Sequence, residues 1–379
     1  MGKGGKRVKL YELTTGDPVY RYDKSIVVFL QGHRKVLSTS VYNGGYHEDF
    51  TAVYNHDAKG APGMPCEVLA DTYTEHMRLL SRRLGLAPDK VTGMVTAADM
   101  ENVAIESRSY KELTVTAIVT GGIETNGGRV GDPADHYAPR EKQGRPGTIN
   151  IILVLDTDLP AGTLARALVT CTEAKTAALQ ELMAGSNYST GLATGSGTDQ
   201  TILVANTDSS LYLEGAGKHA KMGELIGCVV KAAVTRALAR QSHLTPVRQH
   251  DVFRRWKRFG VTPETLWQAY GEEAAAPVWK PLFLETAETL AREPDMVTET
   301  SLYIHLLDQF LWGLLDAGEV LPAAQRVLVA LATPCGGVRP CLDDVSVPAM
   351  AEAWSRLFLR RVCRRLDSVV AAKTPEQES

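Results

Sequence analysis

No apolar run in these 379 residues approaches the ~20 needed to cross a bilayer. The opening Met1-Gly-Lys-Gly-Gly-Lys-Arg-Val-Lys9 lacks the apolar core of a signal peptide, so the expectation is a cytoplasmic protein with no membrane partner. Excess charge is missing too: 41 basic against 44 acidic residues, a formal −3, gives no global attraction to nucleic acid or an anionic surface. Cysteine is sparse. The six, at 66, 171, 228, 335, 341 and 363, are too few and too scattered for a disulfide framework. Cys335 and Cys341 have no second pair of ligands nearby to make a structural zinc site, and no protein-bound metal is expected.

Several catalytic signatures are absent as well. Gly217-Lys218 has Tyr212 where a phosphate-binding loop needs glycine and His219 where it needs Ser or Thr. Gly195-Ser-Gly197 lacks the third glycine of a dinucleotide fingerprint and precedes a strand, where that motif requires a helix. There is no Gly-x-Ser-x-Gly elbow and no His-Glu-x-x-His zinc helix. The basic clusters Arg254-Arg-Trp-Lys-Arg258 and Arg356, Arg360, Arg361, Arg364 and Arg365 have no basic domain behind them and read as solvated helix faces, not as a nucleic-acid interface.

What is present is an ordinary globular composition, 44% apolar and 22% charged. β-rich runs occupy 25–30, 35–41, 90–96, 113–120, 148–155 and 201–206, and helix-period segments 65–84, 161–183 and 217–239. Strands and helices interleave, and the order of two strands, a helix and a strand recurs. That recurrence allows an internal duplication at the level of structure, with no sequence repeat behind it. After residue 243 the pattern turns helical, clearest at 301–317, 322–331 and 348–370, and all five tryptophans lie there. The expected fold class is α+β: an N-terminal extension (1–24), a mixed-sheet α/β catalytic domain (25–243) and an all-α domain with its own aromatic core (244–379).

Polar glycine-rich segments stand out against this background. Thr190-Gly-Leu-Ala-Thr-Gly-Ser-Gly-Thr-Asp-Gln-Thr-Ile-Leu-Val-Ala205 ends in Asp199 directly before an apolar strand. The segment 121–147 is a long loop with seven glycines plus Asp132, Asp135, His136, Arg140 and Arg145, which suits a ligand-covering loop. In the helix-period segment 161–183 between these two, Leu164, Leu168, Cys171 or Thr172, Lys175, Leu179 and Leu182 recur at three- and four-residue steps, which sets Lys175 on the apolar stripe. Glu173 falls about 160° around the helix from it. A lysine so placed pairs with a carboxylate such as Asp199, whether as a structural contact or as a catalytic group.

These segments, Thr120-Gly-Gly-Ile-Glu-Thr-Asn-Gly-Gly-Arg-Val-Gly-Asp132, Gly147-Thr-Ile-Asn-Ile-Ile-Leu153, Thr172-Glu-Ala-Lys-Thr-Ala-Ala-Leu-Gln-Glu181 and Thr190–Ala205, resemble the adenosylcobinamide amidohydrolases, the CbiZ family of corrinoid salvage. The resemblance extends to Val36-Leu-Ser-Thr-Ser-Val-Tyr-Asn-Gly-Gly45 and Gly217-Lys-His-Ala-Lys-Met-Gly-Glu-Leu-Ile-Gly227 and covers roughly residues 25–240. It implies hydrolysis of the amide that joins the aminopropanol arm to the corrin side chain of adenosylcobinamide. The corrinoid, with its cobalt already in the ring, is then substrate; no Asp-x-His-x-x-Gly element for ligating cobalt is present. No further cofactor is implied, and homo-oligomerisation stays open. Two rivals stand beside this reading: hydrolysis of another corrinoid or tetrapyrrole amide, and corrinoid binding without catalysis.

Amide hydrolysis needs a base, a stabilised oxyanion and a proton for the departing amine. The candidates in these segments are Glu124, Glu173, Lys175, Asp199 and His219, with backbone N–H groups at 121–122, 127–128 or 195–197 as oxyanion donors. For binding a macrocycle fringed with amides, the neutral groups are Asn43, Gly44, Gly45, Gly122, Asn126, Gly127, Asn150, Thr172, Thr194, Gly195, Ser196, Gly197 and Thr198. The attacking group, side chain or water, is left open by the sequence.

Overall fold

The computed structural model describes residues 7–60, 66–67, 69–134, 147–273, 278–333 and 340–373. The chain divides into two compact units, Met1–Thr245 and Pro246–Ser379. Asp135, His136, Arg140, Arg145 and Cys335 lie outside the described residues.

The first unit holds two mixed sheets. One contains β1 (Val8–Glu12), β2 (Pro18–Tyr22), β3 (Ser25–Phe29), β6 (Ala52–Asp57) and β7 (Val91–Thr96), in that order. The other runs β5 (Gly45–His47), β4 (Arg34–Ser38), β13 (Gln200–Asn206), β11 (Thr148–Leu155), β9 (Leu113–Gly122) and β8 (Ala104–Tyr110). Within each, two antiparallel pairings are followed by a parallel one across a helix: β2, β3, β6 and β7 through α1 (Tyr73–Arg83), and β8, β9, β11 and β13 through α2 (Ala161–Glu181). The doubling is therefore one of topology.

Alternating side chains build three apolar layers. Ile26, Val28, Val53 and Met94 of the first sheet meet Ile118, Ile152, Val154, Ile202 and Val204 of the second. On the first sheet's other face Val27, Tyr54 and Val91 pack against Met77, Leu80 and Leu84 of α1 and its C-terminal end. The second sheet's other face, with Val119, Ile151, Leu153 and Leu203, packs on α2 and α3 (Lys221–Ser242). β11 is buried along its whole length, and its Thr-Ile-Asn-Ile-Ile-Leu-Val-Leu run suits a central strand covered on both faces.

Residues 8–22, expected as an extension, belong to the first sheet as β1 and β2. The ladder between β2 and β3 places them there, and an ion pair adds a tie to the second sheet. Asp17, fully buried between the two strands, takes Nε of the buried Arg34 at 2.9 Å and Nη2 at 3.1 Å, which ties this hairpin to β4. A buried ion pair of this kind is costly to break from one side.

The second unit is helical. α4 (Pro246–Gln249), α5 (Val252–Trp256), α6 (Pro263–Glu273), α7 (Lys280–Leu290), α8 (Pro294–Leu311), α9 (Ala317–Ala332) and α10 (Val347–Lys373) enclose an aromatic core. There Trp256 lies 5.3 Å from Trp354, which stacks on Phe358 at 4.9 Å. Part of the basic sequence is not solvated. The Arg258 guanidinium makes a bidentate, buried pair with Asp308 at 2.7 and 2.6 Å, and Arg361 is held by Asp295 and Glu293.

Candidate active site

The helical stripe that carries Lys175 toward the sheet also brings its ammonium onto Asp199, and both side chains are only 12% exposed. Asp199 stands at the entry to β13 and accepts four hydrogen bonds. Oδ1 takes the Ile149 N–H at 2.8 Å and the Ser196 hydroxyl at 2.7 Å; Oδ2 takes the Ser196 N–H at 3.0 Å and Lys175 Nζ. That fills the roughly four acceptor positions of a carboxylate. Gly195 is required here for space, because a Cβ on it would stand 2.3 Å from Asp199 Oδ2 and 2.7 Å from Lys175 Nζ.

Segments far apart in sequence close around this carboxylate. Gly127 and Gly128 (β10) pair with Ser196 and Gly195 (β12), and the Thr194 hydroxyl accepts from the Val130 N–H at 2.9 Å. Thr148 Oγ1 donates to Thr198 O at 2.7 Å, and Thr198 Oγ1 donates to Gly147 O at 3.0 Å. Asn126 Nδ2 also donates to Gly147 O, while its buried Oδ1 has no partner. From the first half of the unit, Thr39 exchanges bonds with the Thr201 backbone, its hydroxyl accepting from the N–H at 2.9 Å. Gly197 and Thr198 remain exposed, so the cluster is reachable from solvent.

Other sequence-predicted groups lie elsewhere. Glu173 projects from the far side of α2 and pairs with Lys218 at 3.2 Å; its side chain is 43% exposed. His219, next to Lys218, and Thr172, whose hydroxyl donates to Leu168 O, are exposed on the helix-facing side of the unit. Asn43 has a left-handed backbone and gives its amide to Pro88 O and Val91 O at 2.8 and 2.7 Å, which fixes the turn through Gly44 and Gly45. Gly44 packs so tightly that a Cβ would lie 1.9 Å from Ser40 O. Asn150 is buried between the sheets, and Gly122 ends β9 beside Gln241. Glu124 is half-buried in the turn between β9 and β10.

Three groups around the cluster were not singled out by the sequence as site residues. The Cys171 thiol sits one helical turn before Lys175; burial pushes its pKa up to about 12, which keeps it protonated and unsuited to nucleophilic attack. Gln200 and Tyr73 are the others. The Tyr73 hydroxyl interacts with Gln200 and Ser40, a contact between distant segments that no sequence pattern announces. Among the described residues no three His, Cys, Asp or Glu side chains gather as a metal would require, and no helix is long and apolar enough to cross a membrane.

An uncharacterized protein of Methanocaldococcus jannaschii is 31% identical over 252 residues, which is 63% of this chain and 95% of that protein. The family match runs from the hairpin that Asp17 anchors to the first residue of the helical unit. Across residues 10–246 it is to adenosylcobinamide amidohydrolase, and the chain belongs to this family, CbiZ.

Proposed function

We propose that the protein hydrolyses the amide between the aminopropanol arm and the corrin side chain of adenosylcobinamide, releasing adenosylcobyric acid and 1-aminopropan-2-ol in corrinoid salvage. The observation that carries the reading is the gathering of four family-like segments on Asp199, with Lys175 against it. All acceptor positions of Asp199 are occupied by protein donors, so a water could be activated there only by displacing one of them. Ser196 Oγ already donates to Oδ1 and needs no such exchange. In this mechanism Ser196 Oγ attacks the amide carbon as its proton passes to Asp199. Lys175 and the glycine-rich backbone stabilise the oxyanion. The proton then goes to the departing amine as the C–N bond breaks, and water hydrolyses the resulting ester.

Incubation of the purified protein with adenosylcobinamide, followed by mass analysis of the corrin product, tests the reading. Loss of the aminopropanol group supports it. An unchanged corrinoid, recovered from folded protein that binds it, favours a binding protein instead. A conversion confined to other corrinoid amides would move the activity to a different substrate of the same class.

A further inference from the structure

The short pairing of β10 with β12 fixes which side chains share a face. Gly128 and Gly195 are register partners, and directly opposed residues of an antiparallel pair carry their Cβ positions on the same side, about 5 Å apart. At Gly195 that position faces Asp199 Oδ2 and Lys175 Nζ. At Gly128 it faces the Tyr188 ring, whose Cδ2 and Cε2 would lie 3.2 and 3.5 Å from an added Cβ. The ring therefore stands on the same side of the ribbon as the Lys175–Asp199 pair, one strand spacing across.

The backbone of Tyr188 is braced while its ring stays open to water. Residues 184–193 close as a hairpin through Ala193 N–H to Ala184 O at 2.8 Å and Ser186 N–H to Gly191 O at 2.9 Å, and Asn187 N–H donates to Gly127 O at 2.8 Å, which lays the hairpin against β10. The Tyr188 N–H donates to Ser186 Oγ at 3.0 Å, and that hydroxyl donates to Asp132 Oδ2 at 2.6 Å, which also takes the Arg129 N–H at 2.7 Å. The Tyr188 side chain is nonetheless 46% exposed, and Val130, tied by its N–H to Thr194, is 83% exposed. Single exposed apolar side chains are ordinary. An aromatic ring on a braced backbone beside the proposed reacting pair is more than that, because it offers contact area that costs little entropy to use.

We propose that the Tyr188 ring is a platform on which a flat conjugated face of the substrate rests while its amide arm reaches Ser196 and Asp199. The inference rests on the corrinoid reading, since the corrin ring supplies such a face and the scissile amide hangs from its rim. The contact is the same before and during the reaction, so it raises affinity and leaves the rate at saturation alone. It needs the ring of Tyr188 and not the hydroxyl.

The test measures calorimetric binding of adenosylcobinamide, kcat and KM for its conversion, and Tm, on the wild-type chain and on Tyr188→Ala, Tyr188→Phe and Tyr188→Trp. Tyr188→Ala is expected to bind about ten-fold more weakly and to raise KM by a similar factor, with kcat within about two-fold. Tyr188→Phe and Tyr188→Trp should keep wild-type affinity within about two-fold, and Tm should hold in all three because the ring is half exposed. All five native tryptophans lie at residue 256 or later. The emission that Tyr188→Trp gains over the wild type therefore reports the platform, and adenosylcobinamide should quench it. Unchanged affinity in Tyr188→Ala, an equal loss in Tyr188→Phe, no quenching of the added emission, or a wild-type chain that binds no corrinoid would overturn the platform. If Tyr188→Ala loses Tm, the phenylalanine affinity and the quenching decide. Binding without turnover would contradict the hydrolase reading alone, leaving the platform to be judged by the alanine-to-phenylalanine affinity ratio.

Discussion

The two sides of α2 differ in what surrounds their charges. On one, Lys175 is largely enclosed and meets a carboxylate held by two backbone N–H groups and a hydroxyl; on the other, Glu173 and Lys218 face each other in solvent, 43% and 59% exposed. Both are ion pairs between a lysine and an acid, two residues apart along one helix. Water screens the second to at most a modest contribution. The first keeps its geometry because every partner is fixed by the fold, which is what orienting a reacting group requires. Enclosure, and not residue type, separates the pair proposed for chemistry from the one on the surface.

Substitutions can break that distinction. The largest effect is expected for Asp199→Asn and Ser196→Ala, each lowering kcat by roughly a thousand-fold with the fold retained. An amide at 199 keeps the shape and loses the base. Equal loss from both, without additivity in the double variant, would mark the two as one unit; steady-state rates on adenosylcobinamide measure this.

Lys175→Met should cost about a hundred-fold in kcat through the lost oxyanion charge. It should also destabilise the unit by about 3 kcal/mol, since Asp199 is left largely buried without its cation. Denaturant titration beside the kinetics separates the two. Gly195→Ala is expected to act through distance: the added Cβ must push Asp199 Oδ2 or Lys175 Nζ away, and activity should fall about ten-fold or more while secondary structure by circular dichroism is unchanged.

The smallest effects belong to the other side of the helix. Glu173→Gln and His219→Ala should leave turnover within about two-fold and stability within about 0.5 kcal/mol. A large loss of rate from either would move the reacting centre toward the α2–α3 face.

The sequence made part of this visible. Apolar periodicity placed Lys175 on the buried stripe and Glu173 off it, and β11 was legible as a strand-rich apolar run broken only by Asn150. β6 was not, because its Asn55, His56 and Asp57 look like a loop and are buried only by the second sheet and by their neighbours. β8 has Glu106, Ser107, Arg108 and Ser109 along an edge, with no apolar run to announce it. Asn43, which turn geometry and a ligand contact explained equally well in the sequence, gives its amide to a turn, a role set by the carbonyls of Pro88 and Val91 some 45 residues on. Tyr73 and Gln200 were beyond sequence reasoning altogether, since their meeting is a tertiary property.

Whether Asp199 and not Glu173 is the working carboxylate is decided by assaying Asp199→Asn and Glu173→Gln side by side. Each folded variant would be incubated with adenosylcobinamide and its corrin product followed by mass spectrometry under single-turnover conditions. Conversion to adenosylcobyric acid by Glu173→Gln is expected at close to the wild-type rate, with none detectable from Asp199→Asn over the same interval; this is the outcome if Asp199 is the base. Retained conversion by Asp199→Asn, or its loss in Glu173→Gln, would contradict it.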